Sequence, residues 1–138
     1  MFVPYLFFHG QCAEAMAYYG SLFGGEVQRI RYADMPPGEG GEDFVGEDIM
    51  HAWLELPSGA LLWASDYPPG MAAGRAEGMA VATDIDNYAE AKARFDALLE
   101  GGELVWPWGP VFWSPGFGML RDRYGVQWII TALSPPEQ

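Results

Sequence analysis

The sequence predicts an α+β fold made of two βαβββ modules, and three observations support this prediction. The stretch CAEAMAYYGSLFGG, which starts at Cys12, returns in a related form as YAEAKARFDALLEGG from Tyr88. Both copies place apolar residues at helical spacing. Each copy is preceded by one apolar segment of strand length and followed by three. A repeat of this kind fixes the architecture, because each copy contributes the same supersecondary unit.

The two copies of the repeat predict two short amphipathic helices. Apolar residues recur at i, i+3, i+7, i+10 and i+11 counted from Cys12, and the second copy repeats this spacing from Tyr88. Asn87, with a glutamate three residues later, forms a capping-box pattern at the second helix. Glycine pairs at 24–25 and 101–102 predict where the helices end, since glycine readily adopts the left-handed conformation of a helix stop.

Eight apolar segments predict the strands. They are FVPYLFF, VQRIRYA, IMHAWLEL and ALLWASD in the first module, and MAVATDI, ELVWPW, GPVFWSPGFGMLRD and GVQWIITAL in the second. The turn sequences PSG (57–59) and RYG (123–125) join the last two strands of each module into a hairpin. The stretch from Asp34 to Asp48 is rich in glycine and proline and has no period, so we predict a loop there.

Length and composition favour one domain. A chain of 138 residues, 50% of them hydrophobic, can bury one core. We place module one at about residues 1–68 and module two at about residues 77–134 of this single domain.

The charge balance limits the possible partners. Nineteen acidic residues against seven basic ones give a net charge of −12, which repels phosphate backbones and anionic lipid surfaces. We therefore expect no nucleic acid and no membrane partner. No apolar run approaches the roughly 20 residues that a membrane-spanning helix needs. Cys12 is the only cysteine and the start of the chain lacks a secretory pattern, so we expect a cytoplasmic protein.

Four further segments carry a resemblance to a known family. They are PYLFFHGQCAEAMAYY (4–19), ASD (64–66), FWSPGFG (112–118) and DRYGVQW (122–128). Together they resemble the PhnB-like branch of the vicinal oxygen chelate superfamily, which includes glyoxalases, extradiol dioxygenases and bleomycin-resistance proteins. The resemblance implies the glyoxalase/bleomycin-resistance fold, in which the curled mixed sheets of two βαβββ modules form a cup. It also implies a homodimer and, in many members, one divalent metal ion bound by four inward side chains.

The four metal-ligand positions that the resemblance implies fall at Pro4, Glu55, Met79 and Ile129. Only Glu55 offers a ligand suited to the ions of this superfamily, since a thioether suits soft copper. His51 cannot replace a missing ligand, because residues four apart on a strand lie about 13 Å from each other. We therefore predict that the protein binds no metal and no other cofactor. Binding of a divalent metal stays an open alternative, although the ligand positions do not support it.

Relatives of this branch have been named methyltransferases. Methyl transfer would need a binding site for a nucleotide-like cofactor. Such a site normally uses a glycine-rich turn between a strand and a helix. GEGGED (38–43) is the only glycine cluster of this kind, and it follows two prolines and opens no helix. We therefore predict that the chain has no such site.

Aromatic residues crowd the strands expected to line the cup. Strand alternation places His51, Trp53 and Glu55 on one face. We expect Met79 and Gln127, on strands of the second module, to face the cup together with Glu55. A carboxylate walled by aromatic side chains could act as a general base, so Glu55 is the candidate catalytic residue. The candidate ligand-binding residues are His51, Trp53, Trp63, Met79, Trp113 and Gln127.

These features predict a protein that binds or modifies a small organic molecule in a cup without the usual metal site. One alternative is a divalent-metal-dependent lyase or isomerase of the glyoxalase type, or a dioxygenase. Another is a protein that sequesters a cationic drug without turnover, as bleomycin-resistance proteins do. The sequence leaves open whether the chain is an enzyme.

Overall fold

The computed structural model describes residues 1–36, 38, 46–68, 70–71 and 74–138. The chain divides into two compact units, Met1–Gly74 and Arg75–Gln138. Each unit contains one of the predicted modules.

The first unit is one helix on a four-stranded mixed sheet. Its strand order is β1-β4-β3-β2, with β1 parallel to β4 and the other pairs antiparallel. Its elements are β1 (Tyr5–Phe8), α1 (Cys12–Phe23), β2 (Glu26–Arg31), a 3-10 turn (Tyr32–Asp34), β3 (Ile49–Glu55) and β4 (Leu61–Asp66).

The second unit repeats this topology. Its strand order is β5-β8-β7-β6, again with one parallel pair, β5 and β8. Its elements are β5 (Val81–Ile85), α2 (Tyr88–Leu99), β6 (Glu103–Val111), β7 (Ser114–Arg121) and β8 (Gln127–Ala132). The predicted α+β fold of two βαβββ modules is confirmed.

The two helices begin differently. The side chain of Asn87 accepts a hydrogen bond from the Glu90 amide at 2.9 Å, which confirms the predicted cap of α2. Gln11 makes no side-chain cap on α1. There the amide of Cys12 donates to the Asp66 carboxylate at 3.0 Å instead. The helix α1 ends at Gly24, whose φ of 80° only glycine adopts readily.

One strand boundary was predicted wrongly. The segment ELVWPW was expected to end a strand at Trp108, but β6 continues to Val111 and the chain reverses at Phe112 and Trp113. Register shifts along the β6–β7 pair allow β6 to carry two prolines, because a bulged edge strand needs fewer ladder hydrogen bonds.

Each helix buries one face on its own sheet. In the first unit Met16 and Tyr19 of α1 are fully buried, as are Ala52 and Ala64 of the sheet beneath. In the second unit the ring of Phe95 lies so close to Gly118 that an added methyl group would overlap it. Close approach of α2 to β7 therefore requires glycine at this position.

Asp66 ties the elements of the first unit together although it is only 1% exposed. Its carboxylate accepts from the amides of Cys12 at 3.0 Å and Ile49 at 2.8 Å, and its carbonyl oxygen accepts from the Tyr32 hydroxyl at 2.8 Å. Burial, with the nearby Asp66 charge, raises the pKa of the Cys12 thiol to about 12. The sheet and the start of α1 thus share one buried hub.

Arg31 joins the two ends of the loop predicted at 34–48. Its guanidinium binds Asp34 at 2.8 Å and Glu47 at 3.0 Å. The hydrogen bonds from Arg31 lower the pKa of the Asp34 carboxyl below its usual value. Residues 37 and 39–45 of this loop lie outside the described part of the chain.

Within the described ranges, no helix has the length and apolar character to cross a membrane.

Candidate ligand-binding site

The face of the first sheet that is turned away from α1 carries most of its aromatic residues, and we call it the open face. Strand pairing aligns Tyr5 of β1 with Trp63 of β4, Trp63 with Trp53 of β3, and Trp53 with Gln28 of β2. The side chains of paired residues project from the same face, so these four form a row across the sheet. The open face includes Tyr5, Phe7, Gln28, Ile30, His51, Trp53, Glu55 and Trp63.

His51 lies at the centre of this aromatic cluster. Its ring stacks on Tyr5 with centroids 5.7 Å apart and on Trp53 at 5.4 Å. Trp63 meets the imidazole edge-on at 5.7 Å. The phenolic oxygen of Tyr5 lies 3.2 Å from His51 Nδ1, within hydrogen-bonding distance. The imidazole is therefore held by rings on three sides and by one polar contact.

The cluster continues as a ladder of rings along the sheet. Tyr5 packs against Phe7 at 4.9 Å, and Phe7 stacks on Tyr67 at 4.9 Å. Tyr67 in turn contacts His9 at 4.8 Å. Both histidines of the chain thus belong to one continuous aromatic surface.

A bulge in β3 helps to hold His51 on the open face. Ile30 of β2 pairs with His51, but the next residue, Arg31, pairs with Ile49, so Met50 is an extra residue in β3. Without it, alternation would place Ile49 on the same face as His51. With it, Ile49 enters the core, where it is 1% exposed, and His51 stays outside.

Much of the aromatic cluster is accessible to solvent. Tyr5 is 36% exposed and Phe7 is 52% exposed, and the rings of His51, Trp53 and Trp63 are partly exposed. Rings that show part of their π-face can stack on another planar molecule, because such contacts combine apolar burial with a favourable electrostatic arrangement.

Glu55 shares the open face, but its surroundings differ from the expectation. It is exposed rather than walled by aromatic rings, and it pairs across the sheet with Glu26 and with Leu61. Among the described residues no cation forms an ion pair with it. Two carboxylates directly opposite each other repel, so this edge of the open face favours cations.

Gln127 of the second unit is already engaged within that unit. In the amide orientation that satisfies both ends of the side chain, Gln127 donates to the Met79 carbonyl oxygen at 3.1 Å and accepts from the Arg121 guanidinium at 2.5 Å. Arg121 is 6% exposed and also donates to the carbonyl oxygens of Ala76 and Gly125. The side chain of Gln127 therefore helps to satisfy a buried cation.

The expectation that strand alternation carries Met79 and Gln127 to one face does not apply, because Met79 lies outside the strand. The strand β5 starts at Val81, and Val81 pairs with Trp128 rather than with Gln127. Val81 and Thr83 therefore share the face of Trp128, whose side chain is buried. Met79 itself precedes the strand and is 76% exposed.

Trp113 lies at the reversal between β6 and β7 and not within a strand. It is 55% exposed and its ring meets those of Phe112 at 4.7 Å and Phe117 at 5.2 Å. Like Met79 and Gln127 it belongs to the second unit, whereas His51, Trp53 and Trp63 come together in the first.

Sequence comparison assigns the chain to a family. It matches the family described as 3-demethylubiquinone-9 3-methyltransferase over residues 1–131. The chain belongs to this PhnB-like family. A solved structure of protein PA1353 from Pseudomonas aeruginosa is similar to this PhnB-like protein, with 37% identity and a TM-score of 0.85, covering 96% of this chain and 97% of that one.

Two further structures extend the likeness. The PhnB protein from Bacillus cereus is 27% identical, with a TM-score of 0.74 over 95% of this chain and 98% of its own. A glyoxylase/bleomycin resistance protein/dioxygenase domain from Frankia sp. EAN1pec is 11% identical, with a TM-score of 0.61 over 96% of each chain. The last likeness concerns the fold alone, and it confirms the glyoxalase/bleomycin-resistance fold of this PhnB-like protein.

The four metal-ligand positions that the superfamily implies do not form a donor set here. Pro4 precedes β1, and its carbonyl oxygen accepts from the Trp63 amide at 3.0 Å. The β1 residues that reach the open face are Tyr5 and Phe7. No group of three His, Cys, Asp or Glu side chains that could hold a metal occurs in the described part of the chain.

The two strand-to-helix turns that the structure describes can be compared with the glycine-rich turn that a nucleotide-binding site normally uses. The turn from β1 to α1 contains one glycine, Gly10, and the turn from β5 to α2 contains none. Neither turn therefore carries the glycine-rich pattern of a dinucleotide-binding turn. Of the GEGGED cluster only Gly38 is described, and residues 39–43 lie outside the described ranges.

Sequence reasoning missed Tyr5, Phe7 and Tyr67 as members of the site. Tyr5 and Phe7 occupy alternate positions of the segment YLFF, so the period-two pattern could have placed them on one face with each other. Nothing in the sequence indicated that Tyr67 stacks on Phe7, because Tyr67 follows β4 in a connecting segment.

Proposed function

We propose that this PhnB-like protein binds a small planar organic molecule on the open face of the first sheet. The observation that carries the proposal is the set of partly exposed rings around His51, with centroid distances of 5.4 to 5.7 Å. A planar ligand would extend this stack, since offset and edge-on ring contacts are favourable beyond simple burial. Glu55 lies at the edge of the same face, where it can meet a polar group of the ligand.

Coumarin, a neutral planar bicyclic molecule, serves as the probe for a direct test. Its dissociation constant is measured by ligand-observed NMR for the wild-type chain, for Trp53→Leu and for Trp106→Leu. Trp106 is 52% exposed and belongs to the second unit, so it is a matched tryptophan that is not among the residues of the proposed site. We expect Trp53→Leu to weaken binding about three- to tenfold, the effect of one aromatic contact, and Trp106→Leu to change it less than twofold. Equal effects of the two variants would contradict the proposal.

A cationic planar ligand is the second candidate, and the Glu26–Glu55 pair favours it. N-methylquinolinium should bind more tightly than quinoline, and its advantage should shrink as salt is added, because exposed charges are screened. Glu55→Gln should reduce this advantage, whereas Glu77→Gln, at an exposed position of the second unit, should not. A preference that is independent of salt would count against this candidate.

We propose that binding needs no divalent metal. The support is the absence, within the described residues, of three metal-ligating side chains close together. Elemental analysis should find well under one divalent ion per chain, and adding zinc, nickel, manganese or iron should leave Tm unchanged. A stoichiometric ion that raises Tm would refute this part of the proposal.

We also propose that the chain acts in the cytoplasm as a homodimer. No charged residue lies between Glu103 and Arg121, although the chain as a whole carries a charge of −12. Within this stretch Phe112 is 98% exposed and Trp106 is 52% exposed. Two copies can meet at such an uncharged apolar surface without mutual repulsion. Light scattering should give twice the chain mass, and Phe112→Asp should give the monomer; a wild-type monomer contradicts this.

A further inference from the structure

We infer that His51 is the hydrogen-bond donor by which the open face selects its ligand, and that Tyr5 holds the imidazole in the tautomer that donates. The inference rests on the proposed function and narrows its ligand class. The preferred molecule is planar and carries a hydrogen-bond acceptor, either a carbonyl oxygen or an aromatic ring nitrogen, within reach of His51 Nε2.

The first step of the argument is the tautomer of His51. A neutral imidazole has one N–H donor and one acceptor nitrogen, and the partner of each nitrogen decides which is which. Tyr5 Oη lies 3.2 Å from Nδ1. A phenol hydroxyl is a good donor and an unprotonated imidazole nitrogen is a good acceptor, so the Tyr5 hydroxyl donates to Nδ1. The imidazole proton is then on Nε2.

The second step is that Nε2 is available to a ligand. It has no hydrogen-bond partner among the residues that the structure describes. In the same residues, no side-chain nitrogen or oxygen is both buried and without a partner. Nε2 is therefore open to solvent, and an acceptor group on a bound molecule can replace the water that it meets in the free protein.

The third step is that the donor is held in place before the ligand arrives. The rings of Tyr5 and Trp53 stack on the imidazole with interplanar angles of 22° and 23°, and Trp63 meets it at 75°. The bulge at Met50 fixes the face from which His51 projects. A donor that is already oriented loses little conformational freedom on binding, so its hydrogen bond discriminates between ligands.

Nitrogen NMR of the labelled protein tests the tautomer directly, at a pH where both imidazoles are neutral. The chain has two histidines, so His9 gives an internal reference in each spectrum. We expect His51 to carry its proton on Nε2, with Nδ1 as an unprotonated acceptor. Tyr5→Phe should move both His51 signals toward the average of the two tautomers and leave His9 unchanged. A wild-type His51 with the proton mainly on Nδ1 overturns the inference.

The selection of ligands with an acceptor group is tested with coumarin and naphthalene. The two molecules have similar bicyclic shapes, but only coumarin carries a carbonyl oxygen that can accept a hydrogen bond. His51→Phe keeps a ring in the stack and removes the donor. We expect the ratio of coumarin to naphthalene affinity to fall about fivefold in this variant, the effect of one neutral hydrogen bond. Tyr124→Phe, the matched control, removes a polar group and keeps a ring in the second unit, and it should leave the ratio within twofold of the wild type.

The outcomes separate the two claims. If both probes bind and His51→Phe leaves their affinity ratio unchanged, His51 does not select the ligand, and the proposed aromatic site stands without it. If neither probe binds the wild-type chain, the proposed function fails together with this inference.

Discussion

Replacing Asp66 by asparagine removes the charge that holds the first unit together beneath the open face. The carboxylate accepts from the amides of Ile49 at 2.8 Å and Cys12 at 3.0 Å, and the side chain is 1% exposed. An asparagine of nearly the same shape can accept from one of these amides. Its own NH₂ group then faces the other amide, so one buried N–H loses its partner.

The size of the effect follows from these contacts. A hydrogen bond to a charged acceptor contributes about 1.5–3 kcal/mol, and a buried donor left without a partner costs about 1–3 kcal/mol. One bond is weakened and one is lost, so we expect Asp66→Asn to lower the free energy of unfolding by about 2–4 kcal/mol. This is a large share of a total stability of about 5–15 kcal/mol.

Urea unfolding followed by circular dichroism measures this change. The matched control is Asp84→Asn, which makes the same substitution at an exposed residue of β5 and should change the unfolding free energy by less than about 0.5 kcal/mol. Tm of the Asp66 variant should fall by roughly 8–16 °C for a chain of this size. A loss of less than about 1 kcal/mol would refute the reasoning, because it would mean that the buried amides find other partners.

Three further predictions concern packing, reactivity and pH. Gly118→Ala should destabilise the chain by about 1–3 kcal/mol in urea unfolding, because its methyl group would overlap a buried ring, whereas Gly109→Ala, with open space around it, should not. Cys12 should react with a thiol reagent only after unfolding, because burial raises its pKa to about 12; rapid labelling of the native chain would contradict this. The Arg31–Asp34 pair lowers the pKa of Asp34, so its stabilisation exists above the ordinary pKa of a carboxyl and disappears as pH falls through the lowered value. Unfolding of wild type and Asp34→Asn should therefore converge at low pH, and a difference that persists there would contradict the pair's role.

The fold and the faces of the first unit could be predicted from the sequence. Helical spacing after Cys12 and Tyr88 depends on local geometry alone, and the structure has α1 and α2 at these positions. Alternation along β3 placed His51 and Trp53 on one face for the same reason. Such patterns are reliable when one face of an element is buried against its neighbour.

The errors arose where a pattern depends on pairing between strands. The face assigned to Met79 assumed that the strand began there, but β5 starts at Val81 and pairs with Trp128. A shift of one residue moves every side chain of a strand to its other face. The contacts of Gln127 with Arg121 and of Tyr5 with His51 join residues far apart in the sequence, and no local pattern indicates them.

The engagement of Gln127 changes the expected composition of the site. Its amide helps to satisfy the buried guanidinium of Arg121, so removing it would leave a buried cation short of acceptors. We therefore centre the candidate site on His51 and the neighbouring rings of the first sheet, and assign Gln127 a structural role within the second unit.

Indole N–H signals provide the most direct test of the proposed binding face, because the chain contains six tryptophans that report on different surroundings. Coumarin is titrated into the nitrogen-labelled protein while all indole signals are followed. We predict that the signals of Trp53 and Trp63 shift with a common dissociation constant. The signal of Trp128, whose indole donates to Asp122 at 2.9 Å in the core of the second unit, should stay in place. Saturable shifts confined to Trp106 and Trp113, with none at Trp53 or Trp63, would contradict the assignment of the ligand site to the open face.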